Sequence, residues 1–468
     1  MRTRQGTQLE PAAVLRASIY ALLVLVAVAV PPWLAGLDPP WLATSYGRRT
    51  VAFELFGFSI ATVFAVIALV EWRLRGERSP AQWASILVPL LVGLQAAYLI
   101  SEFHAKPFDY DCYEYAARAI DVGANPYVSG LNYLYPPLTA QALSALGGSV
   151  DSIARAAGFA PEPDEIWDGV FYVFQCVQLG LVVLLAVLAL RLARKLGIDE
   201  RHAPLLVGVL LIFDNPLLRT LRHGQVNLWI ANLSLLALLL AGRVPAVAGA
   251  ALAVAVHIKL YPVVLLLPLA ASGRWRAIAW TAAAFAGVVV LQTDFLRDWT
   301  LWLQFADFYR SVYPGEIAFR NNSFHSLAVN TLRLVMGASP AEHRTAIRLA
   351  ATGVSLAMAA WLCGRIAIRY RGNATGGTRL LADGADALAF SLLISQSVWE
   401  HHYLLALPLA IVAIADRGRD RPVAVAAAIF LALVMPTFDL YPLSYHRGVG
   451  LIGLLLLTAP RRIPEQAT

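Results

Sequence analysis

Two aspartates one residue apart, Asp109 and Asp111, open the segment FDYDCYEYAARAIDVGANPYVSGLNYLYPP at Phe108 to Pro137, which also carries a cluster of tyrosines. A carboxylate at the head of a helix is placed to take a proton from a hydroxyl nucleophile, the act required of a general base. Tyr113, Ala116, Ala117 and Ile120 recur at helical spacing, so Tyr113 to Val122 reads as an amphipathic helix with the acids at its N-terminal end. Acids there also serve as plain helix caps, and spacing by itself leaves both roles and both aspartates open. Elsewhere, ionisable side chains interrupt apolar runs: His257 with Lys259, Glu400 with His401 and His402, and Arg222-His223 ahead of Gly224-Gln225. Such groups are costly in lipid and mark function by default, although a lysine near a helix end also snorkels to the surface. Adjacent residues on a helix point about 100° apart, so one of His401 and His402 is expected to face a site. Two adjacent histidines lack metal-ligand spacing, and neither a metal nor a cofactor is expected.

The elements that must hold these groups follow from composition. The chain has 468 residues, 59% hydrophobic and 14% charged, with mean hydropathy +0.62, which describes a polytopic membrane protein rather than a soluble domain. Backbone groups in lipid have to bond internally, so the fold class is all-α. The net charge of +7 sits in short basic clusters at the ends of apolar runs, as topology signals do, and excludes nucleic acid as a partner. Cys112, Cys176 and Cys363 fall on a loop and in two apolar segments, a scatter that fits neither a disulfide framework nor a metal cluster. MRTRQ ahead of the run from Ala12 to Leu37 resembles a signal peptide, but the run is too long and reads as a retained first helix.

Candidate spans are Ala12 to Leu37, Val51 to Glu71, Trp83 to Ile100, Gly169 to Leu190, Ala203 to Leu221, Asn227 to Ala241, Ala277 to Gln292, Ala346 to Ile368, Pro422 to Met435 and Val449 to Pro460. Two further apolar stretches have basic flanks and a polar interruption: Arg243 to Arg276 around Lys259, and Arg379 to Arg421 around Trp399 to His402. Each predicts a hairpin of short helices with its polar tip on the side opposite its flanks, for a total of about 10 to 14 membrane segments. Arg2 and Arg4, then Arg73, Arg75 and Arg78, then Arg191, Arg194 and Lys195 mark one face, with Arg48 and Arg49 dissenting. This places residues 102–168 on the outer face as a loop with amphipathic helices, between N-terminal spans in 1–101 and further spans, hairpins and a loop near 295–322 in 169–468. Both hairpin tips, Gly224-Gln225 and that second loop emerge on the same face, which predicts one outer-face site.

The order of these segments resembles glycosyltransferase family 87. Asp109, Tyr113, Ala116-Ala117, Gly123, Pro126-Tyr127 and Tyr135-Pro136-Pro137 are similar to the family's D-x-x-x-Y-x-x-A-A...G...P-Y...Y-P-P signature. Gly224-Gln225-Val226-Asn227 resembles its G-Q-x-N, Ala248-Gly249 through Lys259 and Pro262 its A-G...K-x-x-P, and Ser397 to His402 its S-x-W-x-H-H. Arg320-Asn321-Asn322-Ser323 resembles a further polar segment. The similarity runs in order from about Phe108 to Pro408.

The resemblance implies a GT-C-type fold and an α-mannosyltransferase of the bacterial inner membrane, working on its outer face with a polyprenyl-phosphate sugar donor. The acceptor class is a glycolipid or glycan, and membrane lipids are the remaining partners. The family's catalytic aspartate falls on Asp109, because from Asp111 the Ala-Ala spacing fails. The implied reaction is a single inverting displacement in which the acceptor hydroxyl, deprotonated by Asp109, attacks the anomeric carbon and polyprenyl phosphate leaves. Negative charge grows on the departing phosphate, and Lys259, His257, His401, His402, Gln225, Asn227 and Arg222 are the candidates to bind it or the substrate. Asp111, Tyr113, Glu400, Arg320 and Asn322 are secondary candidates, Glu400 as a second base. The aromatic stretch Phe295 to Asn322 suits either sugar stacking or an interfacial belt. Tyr135-Pro136-Pro137 and Gly123 read as architecture. The acidic insertion at Ala156 to Asp168 departs from the family pattern. A polytopic transporter or lipid flippase is the alternative reading; it predicts repeated halves, which the chain lacks.

Overall fold

The computed structural model describes residues 106–128, 133–311, 321–339, 342–371, 376–395, 397–436 and 441–460, with isolated helical positions between 19 and 96. The second expected span, most of the first and third, their basic signals and Arg320 lie outside the described residues. Among the described residues every regular element is a helix.

Helix α1, Phe108–Asp121, carries Asp109 and Asp111 in its first turn, where negative charge meets the free N–H groups of the helix start. Gly123 ends it with φ +69, and Ala124 N–H reaches back 2.8 Å to Ala119 O. After the Tyr-Pro-Pro turn, α2 runs over Leu138–Ala156 and packs on α1. Helix α3, Pro163–Lys195, begins inside the acidic insertion, with proline at its first position and Glu165 accepting from Glu162 N–H at 2.9 Å. Its first turns are acidic and its remainder apolar. Glu114 of α1 meets Lys106 and Arg118, which bridge on to Asp168 and Asp164 of α3 at 2.9 Å each. Tyr110 packs against both Phe171 and Phe174 of α3 with tilted rings, centroids 4.7 and 5.1 Å away.

The expected span Ala203 to Leu221 is broken into α4, Ala203–Ile212, and α5, Asn215–Arg222, with a bend of 51°. Asp214 causes the break by capping the second helix, accepting from Leu217 N–H at 2.9 Å, and Pro216 follows without a donor of its own. Helices α6, Asn227–Leu240, and α7, Pro245–Ile258, form the next antiparallel pair. The chain turns extended at Lys259, makes a 3-10 turn at Tyr261–Leu265, and returns as α8, Leu266–Ala271. Helix α9, Trp275–Gln292, lies against α7 so closely that a Cβ added at Gly249 would run into its backbone at Ala277 and Thr281. The stretch expected as an aromatic loop contains a helix, α10, Thr300–Ser311.

Helix α11, Phe324–Leu334, precedes the long α12, Arg344–Arg371, and α13, Gly376–Ile394. The second interrupted stretch follows as a 3-10 segment, Glu400–Ala406, continued by α14, Leu407–Arg417. Helix α15, Pro422–Ile429, runs on into a π turn at Phe430–Val434, and α16, His446–Leu457, closes the bundle. Arg365 grips Asp386 with two bonds of 2.7 and 3.0 Å, Arg369 spans Asp383 and Asp386, and both arginines donate to Thr458 O. This buried cluster clamps α12, α13 and the end of α16 together.

Among the described residues three helices, α3, α9 and α12, are long and apolar enough to cross a membrane, and the bent pair α4–α5 makes a fourth. Asn227–Leu240, Pro245–Ile258, Tyr261–Ala271, Pro422–Val434 and Leu443–Leu457 are shorter apolar helices. Helix α6 begins, α7 ends and the 3-10 segment Glu400–Ala406 lies at the end of the bundle that carries α1 and the start of α3.

Candidate active site

Gly224 is where α1 meets the rest of the bundle. Its φ of +62 turns the chain from α5 into α6, and a Cβ added there would lie 3.0 Å from Pro107 and 3.1 Å from Tyr110. Only glycine combines that backbone geometry with that approach. The contact sets the first turn of α1 beside His223, whose Nδ1 is 3.8 Å from Asp109 Oδ2. Asp111, two residues and about 200° further round the helix, faces elsewhere. Burial and the Glu114 charge raise its carboxyl above the ordinary range.

From Asp109 a row of rings crosses the site. His223 and His401 have centroids 6.1 Å apart, His401 and His402 4.6 Å, and His402 Nε2 is 2.8 Å from Lys259 Nζ. Both adjacent histidines therefore line the site, against the expectation of one. The rings of the 3-10 segment Glu400–Ala406 point apart, and His223 at the end of α5, which crosses beneath, and Lys259 give each a neighbour in the row. Thr220 Oγ1 of α5 lies 3.3 Å from His401 O and fixes that crossing. On the opposite side Asn321 Oδ1 accepts from Val398 N–H at 3.0 Å, and Asn322 N–H donates to Val398 O at 2.6 Å, tying the hairpin tip to the segment before α11.

Hydrogen bonds assign the protons at the far end of the row. Trp399 N–H donates to His402 Nδ1 at 3.0 Å, so the neutral imidazole carries its proton on Nε2. That proton points at Lys259 Nζ, which in turn donates to Asn227 Oδ1 at 2.8 Å. Lys259 with both contacts is poised between amine and ammonium, and an anion arriving at Nζ favours the ammonium. Tyr261 also donates to Asn227 Oδ1, at 3.0 Å, and the Tyr135 ring lies 4.9 Å from Lys259 Nζ. Asn227 Nδ2 is buried without a hydrogen-bond partner, a donor available to a ligand.

Several predicted residues have other work. The hydroxyls of Tyr113 and Tyr135 lie 3.1 and 3.0 Å from Gln225 Oε1 and 3.0 Å from each other, while Gln178 Nε2 donates to Gln225 O at 2.8 Å. Burial pushes both phenols up, with Tyr135 adding to the rise at Tyr113 and Asp109 to that at Tyr135, so they stay protonated. Gln225 and Tyr113 thus brace the floor under Lys259. His257 points away: two residues before Lys259 on a helix, it stacks 4.2 Å from Phe285 and meets Trp302 at 5.8 Å. Glu400, weighed as a second base, is buried against Arg219 at 3.3 Å beneath the histidines. Arg222 ends α5 half-buried beside His223, and Asn322 is buried at the hairpin tie. The partnership of His223 with Asp109 carries no spacing signal, because 114 positions of chain separate the two. Among the described residues no group of three or more His, Cys, Asp or Glu could hold a metal ion.

A carboxylate, half-open to solvent, thus stands at one end of a row of imidazoles, and a lysine poised between amine and ammonium stands at the other. Such an arrangement can accept a proton at one point and stabilise an anion at another. The family model described as Glycosyltransferase family 87 matches residues 133–395, more than half of the chain; His223, Gln225, Asn227 and Lys259 fall inside that range, and Asp109, His401 and His402 outside it. No curated protein and no solved structure matches the chain.

Proposed function

This chain belongs to glycosyltransferase family 87 and is a membrane glycosyltransferase, and on that premise we propose that it moves a sugar, mannose first among candidates, from a polyprenyl-phosphate donor to an acceptor hydroxyl on the outer face of the inner membrane. The observation that carries this reading is the pairing of Asp109 and Lys259 at opposite ends of one histidine row. Displacement at an anomeric carbon asks for a base on the attacking side and a counter-charge where the phosphate departs.

Asp109 accepts the proton of the acceptor hydroxyl as its oxygen bonds to the anomeric carbon. The bond from that carbon to the phosphate oxygen breaks, its electron pair leaves on polyprenyl phosphate, and the configuration inverts. His223 orients the Asp109 carboxylate. Lys259, as the ammonium that a bound phosphate favours, meets the growing charge together with Asn227 Nδ2 and the histidines. Tyr113, Tyr135 and Gln225 are positioning residues, acting through Lys259 and the α1–α6 junction. The acceptor is a glycolipid or glycan.

Membranes bearing the wild type or Asp109→Asn, supplied with radiolabelled polyprenyl-phosphate-mannose and candidate acceptors, test the assignment. Loss of about 10²–10⁴-fold in transfer is expected. Undiminished transfer by the variant removes Asp109 as the base, and a well-inserted wild type that uses only another polyprenyl-phosphate sugar removes mannose.

A further inference from the structure

At the other end of the bundle, where α3 finishes, the loops α6–α7 and α8–α9 and the start of α13 border a half-open cavity of about 340 Å³. Twenty-one residues of continuous helix separate Phe174, level with Tyr110, from Lys195 at its rim, roughly 31 Å at 1.5 Å per residue. It is therefore separate from the row of histidines. Lys195, Arg243 and Arg274 line it, and no carboxylate is among the described lining residues. Leu239, Leu380 and Leu381, all buried, supply its inner wall.

Basic residues at a helix end are ordinary topology signals, but that role asks only for exposure to water. Here they converge. Lys195 Nζ donates to Leu239 O at 3.0 Å, which draws the ammonium inward over the leucines. Arg274 folds back so that its guanidinium lies 3.2 Å from where a Gly242 Cβ would be, and its Nε is buried without a hydrogen-bond partner. Three like charges gathered on one cavity repel each other, and an anion between them reverses the sign of that interaction.

We propose that this cavity binds the headgroup of an anionic phospholipid, with its phosphate among Lys195, Arg243 and Arg274 and its glycerol-ester region on the leucines. A free phosphate would use the same cations, but it has no part to lay against the apolar wall. The assignment of a lipid rests on that wall and on the position of the cavity at the end of apolar helices.

The full chain, purified in detergent, would be titrated with phosphatidylglycerol or phosphatidylcholine and bound lipid counted by native mass spectrometry. The wild type should retain phosphatidylglycerol preferentially, and Arg243→Gln and Arg274→Gln should each weaken that retention about fivefold, as loss of one basic contact predicts. Arg421→Gln, an exposed arginine outside the lining, should leave it unchanged. Size-exclusion profiles establish folding. If Arg274→Gln does not fold, Arg243→Gln, at an exposed side chain, decides alone. Equal retention of both lipids by the wild type overturns the proposal, as does wild-type retention by Arg243→Gln or a loss in Arg421→Gln as large. Displacement of phosphatidylglycerol by millimolar inorganic phosphate overturns the lipid in favour of a free-phosphate site.

Discussion

Replacing Gly224 by alanine tests whether the first turn of α1 is held in place by one backbone contact. Two costs add. The left-handed conformation at φ +62 penalises any residue with a Cβ by about 1–2 kcal/mol. The new methyl would also stand 3.0 Å from Pro107 Cγ and 3.1 Å from Tyr110 Cβ, and overpacking of that kind adds about 1–3 kcal/mol. Gly197 provides the control: its φ is +82 with nothing within 4 Å of an added Cβ, so Gly197→Ala carries the first cost alone. Thermal unfolding in detergent should rank the wild type above Gly197→Ala and Gly197→Ala above Gly224→Ala. Relief of the contact pushes Pro107 and Tyr110 outward and moves Asp109 relative to His223. A displacement approaching 1 Å costs up to about 100-fold in rate, so transfer per folded molecule should fall roughly 10- to 100-fold in Gly224→Ala and stay near wild type in Gly197→Ala. Equal stability and equal activity of the two variants would refute the reasoning, because strain alone would then explain Gly224.

Lys259→Met should lower transfer by about 10²–10³-fold, with the donor dependence changed more than the acceptor dependence; an unaltered rate would take Lys259 out of phosphate stabilisation. Glu400→Gln leaves the Arg219 charge buried and should cost about 3–5 kcal/mol of stability, whereas Arg219→Met with Glu400→Met should cost less than the sum of the single changes. Additive melting shifts would show that the pair is not coupled. Burial, reinforced by Asp109 and Asp111, pushes the Cys112 thiol up to about 12. At pH 8 its thiolate fraction is then about one in ten thousand, against about a quarter for an ordinary thiol. Maleimide labelling of Cys112 in the folded chain should therefore be slow at pH 8 and still climb with each unit above pH 9, while the denatured chain labels readily. Rapid labelling of the folded chain at pH 8 would contradict the buried placement of α1.

Legibility from sequence followed the physics of burial. Helix α1 was visible because its small and aromatic residues recur at helical spacing, and Lys259 and His402 because ionisable groups in apolar runs are conspicuous. The interruption of both hairpins at those residues was readable for the same reason. What lay hidden depended on contacts across the chain. His223 beside Asp109 needs the Gly224 turn, and the saturation of Gln225 Oε1 by two tyrosines needs α1 and α6 to meet. The pairing of Glu400 with Arg219 needs α5 beneath the 3-10 segment. His257 misled because it shares an apolar run with Lys259 yet faces α9. The break at Asp214 carried a local signal, an aspartate two residues before proline, that hydropathy alone passes over. Helix-period reasoning also fell short at His401 and His402, since His223 from α5 and Lys259 from the other hairpin approach the pair from two sides and give each ring a neighbour.

The 33 residues of α3 form one unbroken rod about 50 Å long. A hydrocarbon layer is about 30 Å deep, and an ordinary tilt of about 20° shortens the rod's projection by only a few ångströms. One end therefore stands clear of the lipid. The acidic first turns, braced against α1 through Lys106 and Arg118, are the part suited to water, so in the function proposed above α3 would act as a mast that lifts the Asp109 shelf above the hydrocarbon. On that proposal an acceptor would approach the shelf sideways through the aqueous layer, carrying its own lipid anchor or none.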